Sequence, residues 1–248
     1  MKYSTVIPGT LLLLQASAHY LFGHLLVNET HTEKWKYIRY LNITPVYATE
    51  FPPNNQWALA APIYDLNSVD MRCNHQVDLF AHNTSTATVI AGDEVGFRIV
   101  TDYDESLTIY FPGPGQVYLS RANNLETYLG DGDWFKIASA GPSNDTNWQL
   151  EGGLDMNFTI PASTPPGKYL MRIEHIWPIL PLWELLHMQA QFFISCAHIE
   201  VMGPGGGAPT EFVRFPGAYK KEDPGFSVED HYNNLDQYVA PGPPVWEG

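Results

Sequence analysis

Lys168-Tyr-Leu-Met-Arg-Ile-Glu-His175 and Gln191-Phe-Phe-Ile-Ser-Cys-Ala-His-Ile-Glu-Val201 are the two stretches of the sequence that decide its fold. In the first stretch Tyr169, Met171 and Ile173 occupy every second position. In the second stretch every second residue from Phe193 onward is again apolar or small. Because successive side chains of a strand point to opposite faces of a sheet, this period of two is typical of half-buried β-strands. The two stretches therefore predict two strands that turn one face toward a core.

Shorter runs of the same kind recur along the chain between turn-forming residues. They fall at Thr86–Ile90, Glu94–Val100, Gln116–Leu119 and Asn157–Ile160. Turn signals such as Ala91-Gly-Asp93 and Pro165-Pro-Gly167 stand where hairpins need them. The sequence contains no long run of helical periodicity, so it predicts an all-β protein, a β-sandwich with long loops.

The first 18 residues have the composition of a cleavable secretory signal. Lys2 supplies a positive charge, four leucines end at Leu14, and Ala16-Ser-Ala18 is a small-residue cleavage site. The alternative is a membrane anchor, which needs about 20 apolar residues, and the leucine-rich run is far shorter. We therefore expect a secreted, extracellular protein whose mature chain begins at His19 and forms a single domain over residues 19–248.

The cysteine content and the glycosylation signals agree with secretion. Cys73 and Cys196 are the two cysteines of the chain. In an oxidising compartment they predict one disulfide, which contributes about 4–5 kcal/mol through the unfolded state in the entropy model. The alternative is a pair of buried free thiols. Asn-x-Ser/Thr glycosylation signals start at Asn28, Asn42, Asn83, Asn144 and Asn157.

The charge balance limits the partners that the protein can bind. The chain has 27 acidic residues and 13 lysines and arginines, which gives a formal net charge of −14 at pH 7. Nucleic acids and anionic membranes are therefore excluded as expected partners. With aromatic residues at 13% of the chain, this composition suits a neutral or insoluble polymer.

Two regions near the C-terminus depart from the strand pattern. Residues from about 203 to 248 are rich in Gly and Pro but keep many aromatic side chains, so we expect an arm packed on the domain surface rather than a disordered tail. Ile176–Met188 is a dense apolar stretch broken by Pro178 and Pro181. This stretch either packs as a loop over the core or presents an apolar patch to a partner.

Several longer motifs follow one another in a fixed order along the mature chain. His19-Tyr-Leu-Phe22 opens it, and Arg172-Ile-Glu-His-Ile176 lies within one of the predicted strands. Further members of the series are Trp35–Arg39, Asp70–Asn74, Ala91–Val95, Pro112–Pro114, Gln116–Ser120, Asp133–Ile137, Pro166–Leu170, Ala190–Cys196, Pro216–Lys220, Asp223–Gly225 and Pro241–Pro243. In this order they resemble the motifs of the fungal lytic polysaccharide monooxygenases of auxiliary activity family 9, formerly glycoside hydrolase family 61. The resemblance covers essentially the whole mature chain.

The resemblance implies an immunoglobulin-like or fibronectin-III-like β-sandwich with a flat face around a metal. It also implies the family reaction, which is copper-dependent oxidative cleavage of cellulose or related β-glucans, and it maps the family disulfide onto Cys73 and Cys196. An N-terminal histidine offers copper its α-amine and one imidazole nitrogen, and a second imidazole completes a T-shaped site that suits Cu(II). His19 stands at the position of that N-terminal histidine.

Three positions of this chain depart from the copper site of the family. Phe111 stands where the second copper histidine heads a His-Pro-Gly-Pro run, and Phe193 stands at the axial tyrosine. Ile179 falls at the histidine that supplies a hydrogen bond or a proton beside the copper. His19 and Gln191 keep the residue types of the family. Because phenylalanine cannot coordinate a metal, the sequence predicts weak or absent copper binding and a metal site replaced by apolar packing.

Two hypotheses for the function stay open in the sequence. The first is an active copper monooxygenase in which His187, or less readily His24 or His75, replaces the missing histidine. Gln191 would then act beside the copper, and an electron donor would be needed. The second is a noncatalytic protein that binds a cell-wall glucan, a metal weakly, or a protein partner.

Candidate residues for binding a polysaccharide are aromatic. Tyr238 in the arm matches an aromatic position on the flat face of the family, and Tyr232 and Trp183 are further candidates. Asp102, Asp104 and Glu105 form a cluster of carboxylates within one loop. A glycoside hydrolase needs two carboxylates about 5–9.5 Å apart in a cleft. We therefore interpret this cluster as a solvated turn and not as a catalytic pair.

Overall fold

Two β-sheets pack face to face in the computed structural model, which describes residues 19–41, 61–75, 77–101, 105–182 and 189–248. The predicted signal, Asn42, Asp102, Asp104, Trp183 and His187 lie outside the described residues. No helix in the described part of the chain is long and apolar enough to cross a membrane.

The smaller sheet has four strands within the described residues. In spatial order they are β2 (Thr30–His31), β1 (Phe22–Val27), β4 (Glu94–Ile99) and β7 (Asp155–Thr159), and each neighbouring pair is antiparallel. The larger sheet has the order β3 (Ala87–Ile90), β9 (Gln191–Met202), β8 (Gly167–Trp177), β5 (Gly115–Arg121) and β6 (Trp134–Ala140). Only β3 and β9 are parallel to each other among these pairs. Short 3₁₀ turns cover Val69–Met71, Val77–Asn83 and Leu235–Gln237.

The predicted β-sandwich is confirmed, and its main core lies between the sheets. Phe22 and Phe97 of the smaller sheet are fully buried and meet edge to face, with ring centroids 6.5 Å apart. Ile173 of β8 and Ala197 of β9 face the same core from the larger sheet. The alternating residues that predicted β8 and β9 therefore do point into the core.

The prediction that β8 and β9 are half-buried is wrong, because their outer faces are buried as well. Leu170, Phe192 and Ile194 point away from the main core and form a second apolar cluster. Phe215 and Tyr219 of the C-terminal arm cover this cluster. The central strands thus lie in the middle layer of three, which is why nearly all of their residues are buried.

A buried polar network lies between the larger sheet and the arm. Arg172 Nη2 donates a hydrogen bond of 2.7 Å to Glu174 Oε2, and both side chains are fully buried. Gln116 Nε2 donates to Glu174 Oε1 over 3.2 Å, and the Tyr219 hydroxyl also donates to this carboxylate. Because the charged groups are out of water, each depends on its partners in the network.

The arm is tied to the edge strand β6 by hydrogen bonds. Lys136 Nζ donates a hydrogen bond of 2.7 Å to the Pro241 carbonyl, and the Trp246 amide donates one of 2.8 Å to the Lys136 carbonyl. Burial lowers the pKa of Lys136 to about 8. The arm is therefore an ordered layer of the fold along its described length.

The predicted disulfide between Cys73 and Cys196 is confirmed. Its Cα atoms lie 5.3 Å apart and its halves are 123 residues apart in sequence. The bond links β9 to the segment that carries the first 3₁₀ turns. Asn28, Asn83, Asn144 and Asn157 of the glycosylation signals are exposed.

Candidate functional site

His19, Phe111, Phe193 and Gln191 lie together at one end of the sandwich, where the ends of several strands meet. Because β8 and β9 are antiparallel, the last residue of β8, Trp177, lies opposite the first residue of β9, Gln191. Two positions further into the ladder, His175 pairs with Phe193. The segment before β5 brings Phe111 to the same end, and His19 reaches it from the segment before β1.

The Pro-Gly-Pro run after Phe111 has a structural role of its own. A Cβ on Gly113 would lie 1.8 Å from the Ile176 carbonyl oxygen, so only glycine fits this close approach. The Ile176 amide donates to the Pro114 carbonyl over 3.0 Å. These contacts dock the Pro-Gly-Pro segment on β8, and they hold Phe111, the residue before it, at this end of the sandwich.

His19 lies against Phe111 and Phe193, the two phenylalanines that the sequence motifs predict at ligand positions of the family. Its ring centroid is 6.2 Å from that of Phe111 and 6.0 Å from that of Phe193. Partial burial lowers the pKa of the His19 imidazole. The structure therefore brings His19, Phe111 and Phe193 together.

The phenylalanines belong to a continuous aromatic stack. Phe111 stacks on Trp177 with centroids 4.1 Å apart and planes 18° apart, and Phe193 lies 5.5 Å from Phe111. Phe193 in turn stacks on Tyr20 at 4.7 Å. Phe111 and Phe193 are 6% and 2% exposed, so their rings fill the space beside His19 with apolar packing.

His175 lies beneath this stack as a neutral structural residue. Its Nε2 donates to the Gly113 carbonyl over 3.2 Å, so its Nδ1 is the acceptor for the Tyr20 hydroxyl at 2.6 Å. Burial lowers the pKa of His175 to about 3. The ring has both nitrogens engaged and holds Tyr20 and Gly113 in place.

Gln191 and Ile179 occupy different surroundings. Gln191 is 8% exposed and shares one face of β9 with Phe193, and its Oε1 has no hydrogen-bond partner among the described residues. Ile179 joins the arm instead, since its amide donates to the Phe226 carbonyl over 3.0 Å and its carbonyl accepts from the Val228 amide at 2.9 Å.

The other histidines proposed as replacements have partners of their own. His24 Nδ1 lies 3.0 Å from the Thr32 carbonyl, and His75 Nδ1 lies 2.7 Å from Asp70 Oδ2. His187 lies outside the described residues. Within the described ranges, no group of three or more His, Cys, Asp or Glu residues is placed to hold a metal ion.

A groove with a volume of about 510 Å³ opens directly beside the aromatic stack. Phe111 and Trp177 line one part of it. The other lining residues are Thr108, Tyr110, Pro112, Glu151, Gly152, His231 and Tyr232. Tyr110 is 54% and Tyr232 45% exposed. The Tyr232 hydroxyl donates to Glu151 Oε1 over 2.8 Å.

Tyr238 is not among the residues that line this groove. Its ring meets Trp148 edge to face at 4.9 Å, and its hydroxyl donates to the Gly225 carbonyl over 3.1 Å. It is partly buried within the arm, where burial raises the pKa of its hydroxyl. Glu105 is exposed, as a residue of a solvated turn would be.

Comparison with known proteins gives the family of this chain. The model of Auxiliary Activity family 9, formerly GH61, matches residues 19–238. The chain belongs to this family. AA9 family lytic polysaccharide monooxygenase U of Thermothielavioides terrestris is 42% identical over 261 residues, which cover 99% of each chain. AA9 family lytic polysaccharide monooxygenase C of Emericella nidulans is 36% identical over the full length of both chains.

Solved structures of family 9 proteins share the architecture. CvAA9A superposes with a TM-score of 0.69 at 28% identity, over 92% of this chain and 98% of its own. Cel61B from Hypocrea jecorina, a glycoside hydrolase family 61 member, gives a TM-score of 0.70 at 22% identity, over 92% of this chain and all of its own. At 22% identity, the similarity to Cel61B shows the shared fold and nothing about function.

The described residues do not fit the copper that proteins of auxiliary activity family 9 use. A stable site for Cu(II) takes several nitrogen ligands in one plane. His19 can supply two after the preceding residues are removed, but the side chains nearest to it are the hydrocarbon rings of Phe111 and Phe193. The stack of these rings on Trp177 and Tyr20 also leaves the space filled rather than open for a ligand.

Sequence reasoning named Tyr232 and Phe111 among the residues of the groove, but it missed Tyr110 and Glu151. Tyr110 and Glu151 are 41 positions apart in sequence and lie on loops that carry no strand pattern. They meet because the Gly152 amide donates to the Ile109 carbonyl and the Ile109 amide donates to the Gly153 carbonyl, both over 2.8 Å. The one local signal was Tyr110 itself, a large aromatic residue next to the altered ligand position.

Proposed function

We propose that this protein is a secreted, noncatalytic member of auxiliary activity family 9 that binds a cell-wall glucan. The observation that carries the proposal is the aromatic stack of Trp177, Phe111 and Phe193 beside His19. In place of two metal-binding side chains, the chain has two buried hydrocarbon rings that pack on each other. Such a site can contact a ligand but cannot fix a metal in a plane of nitrogens.

Binding of a neutral polysaccharide is supported by the surface next to the stack. The relatives are named polysaccharide monooxygenases, so their substrates are polysaccharides. In this chain the exposed rings of Tyr110 and Tyr232 lie at the same end of the sandwich as His19. The net charge of −14 favours a neutral polymer over an anionic one.

Secretion is supported by the start of the sequence. The first 18 residues combine one positive charge, a short leucine-rich run and an Ala-Ser-Ala ending, and the family match begins directly after them at residue 19. The disulfide and the exposed glycosylation signals at Asn28, Asn83, Asn144 and Asn157 fit an oxidising, extracellular location.

One observation favours the family reaction as a second candidate. Gln191, which keeps the residue type of the family, is buried with an Oε1 that has no hydrogen-bond partner among the described residues. With copper on His19 and an electron donor, this amide could orient a bound group. Only the retained residues His19 and Gln191 support the family reaction. Among the described residues, the site has no second imidazole beside His19.

The experiment that tests the proposal separates binding from oxidation. The mature protein is incubated with swollen cellulose, copper and a small-molecule reductant, and both retention on the solid and release of oxidised oligosaccharides are measured. We expect retention without oxidised products. Oxidised products that depend on His19 would overturn the noncatalytic assignment, and absence of retention would overturn the glucan-binding assignment.

A further inference from the structure

We propose that Asn83 carries an N-linked glycan whose first N-acetylglucosamine unit packs on the aromatic rings of Phe80 and Tyr40. The inference rests on the secretion included in the proposed function, because such glycans are attached to chains that enter the secretory pathway. It depends neither on copper nor on the binding of a polysaccharide. The rings belong to residues 35–40 and 77–83, segments other than those that form the stack beside His19.

Three aromatic side chains form an exposed cluster on this part of the surface. Tyr40 is 44% exposed and lies between Trp35 and Phe80, and it meets each ring edge to face with centroids 5.5 Å apart. Trp35 and Phe80 are partly exposed themselves, and Leu79 beside Phe80 is 58% exposed. An apolar surface of this kind is stabilised when another group covers it.

The glycosylation signal starts one helical turn after Phe80. Val77–Asn83 is a 3₁₀ helix, a structure in which side chains three residues apart lie above one another. Phe80 and Asn83 therefore share one face of the helix, about 6 Å apart along its axis. Asn83 is exposed at the end of this helix, so the folded protein has room for a sugar on its amide. A sugar attached there starts within reach of the Phe80 ring.

Hydrogen bonds fix the signal against the segment that carries Trp35 and Tyr40. The Ser85 amide donates a hydrogen bond of 2.9 Å to the Lys36 carbonyl. The Thr84 hydroxyl donates one of 3.2 Å to the Phe80 carbonyl. The rings and the attachment point therefore keep their relative positions before the sugar settles on them, which limits the loss of conformational freedom.

Among the five glycosylation signals, only that of Asn83 has an aromatic residue three positions before the asparagine. The residues at that position before the other four signals are Leu25, Arg39, Gly141 and Leu154. Leu154, which precedes Asn157, packs against the main core. Asn157 is exposed on strand β7, so it offers a comparison site without the aromatic neighbour.

The attachment is a group transfer from a lipid-linked oligosaccharide diphosphate, which the secretory pathway supplies. A bond forms between Asn83 Nδ2 and C1 of the first N-acetylglucosamine, the bond from C1 to the diphosphate oxygen breaks, and one Nδ2 proton is released. The lipid diphosphate is the leaving group. Ser85 completes the signal that directs this transfer. The attached sugar then presents the C–H bonds of its ring to the aromatic faces, which carry partial negative charge.

The first measurement is the occupancy of the glycosylation signals. The full chain is expressed in a secreting yeast, and glycopeptides of the protein from the medium are identified by mass spectrometry. We expect Asn83 to be modified. Unmodified Asn83 in the secreted protein would overturn the inference and leave secretion standing. A chain that stays inside the cells without any glycan would reject secretion as well.

The second measurement tests the packing of the sugar on the rings. An endoglycosidase trims each glycan to its first N-acetylglucosamine, and urea denaturation then compares the parent protein with Asn83→Gln, Phe80→Leu and the double variant. Asn83→Gln should raise the unfolding equilibrium constant about threefold to tenfold, the loss expected for one contact with an aromatic ring. Phe80→Leu should cost less in the Asn83→Gln background than in the parent, by the same factor. Ser85→Ala removes the signal but keeps Asn83, and it should behave like Asn83→Gln.

The matched control is Asn157→Gln, which removes a glycosylation signal from an exposed position without an aromatic neighbour. It should change the unfolding equilibrium constant by no more than about twofold, and Phe80→Leu should cost the same with and without it. Additive effects of Asn83→Gln and Phe80→Leu would overturn the contact between the sugar and the rings. Equal effects of Asn83→Gln and Asn157→Gln would overturn it too.

Discussion

Trp177 and Phe111 stack with ring centroids 4.1 Å apart and ring planes 18° apart, and Phe111 is the residue that the sequence motifs predict at the position of a copper-binding histidine. The two residues belong to different segments, the end of β8 and the loop before β5. Their contact closes an aromatic layer that also includes Phe193 and Tyr20. The stack therefore contributes to the stability of the fold, whatever ligand this end of the sandwich binds.

Removal of the Phe111 ring should therefore destabilise the fold. We expect Phe111→Ala to lower the free energy of unfolding by about 3–5 kcal/mol, the usual cost of truncating a buried phenylalanine. Urea denaturation measures this change. Tyr110→Ala, at the exposed neighbouring position, is the control and should change stability by no more than about 0.5 kcal/mol. Equal effects of the two changes would show that the ring of Phe111 is not packed.

The buried carboxylate of Glu174 should be among the most sensitive positions of the fold. Glu174→Ala leaves the fully buried Arg172 guanidinium without its ion partner, so we expect a loss of about 3–5 kcal/mol in unfolding free energy. The comparison is Asp155→Ala, which breaks the partly exposed pair with Arg98 and should cost about 1 kcal/mol or less. Similar losses in the two variants would contradict the importance of burial here.

The stability of the protein should fall as the pH is lowered below 6.5. Burial lowers the pKa of His175 to about 3, and burial together with the neighbouring Arg39 lowers that of His198 to about 3. Between pH 6.5 and pH 3 the unfolded chain binds protons that the folded chain does not bind. The unfolding free energy should then decrease by up to about 1.4 kcal/mol per pH unit for each histidine.

Denaturation curves collected between pH 7 and pH 4 measure this slope. His175→Gln keeps an acceptor for Tyr20 and a donor for Gly113 but does not titrate, so its slope should be shallower. The exposed His82→Gln is the control and should keep the slope of the parent protein. A His175→Gln slope equal to that of the parent would show that His175 does not carry the effect.

Restoring the family residues should restore a metal site. The double variant Phe111→His and Phe193→Tyr places an imidazole and a phenol at the two positions that lie about 6 Å from His19, ring to ring. We expect it to bind Cu(II) at one site per chain, at least about tenfold more tightly than the parent protein, because it supplies the missing nitrogen. No gain of affinity would mean that the surrounding stack, and not the ligand type, prevents binding.

The sequence predicts the fold well where one face of a strand is polar or where a family motif fixes the position. The alternation at Glu94–Val100 identifies β4, which is observed at Glu94–Ile99. The run Trp134–Ala140 shows no clean alternation, because β6 buries four successive residues against the core and the arm. The outer face of β8 was not recognised as buried for a different reason, since it carries the charged residues Arg172 and Glu174, which the structure pairs out of contact with water.

The site could be predicted only in part. The motifs around His19, Phe111 and Phe193 predict that these residues stand at ligand positions, and the structure places their rings about 6 Å apart. The groove beside them depends on hydrogen bonds between the loops at Ile109 and Gly152. No local sequence pattern predicts these hydrogen bonds. Loop-to-loop contacts of this kind follow from the tertiary fold, so sequence periodicity cannot reveal them.

The most direct test of the central claim is a calorimetric titration of the mature protein, beginning at His19, with Cu(II). Because Phe111 and Phe193 supply no metal ligand, we predict that no tight one-to-one binding occurs and that only weak binding through the two nitrogens of His19 remains. Tight, stoichiometric binding that disappears in His19→Ala would contradict the account and assign this chain a working copper site.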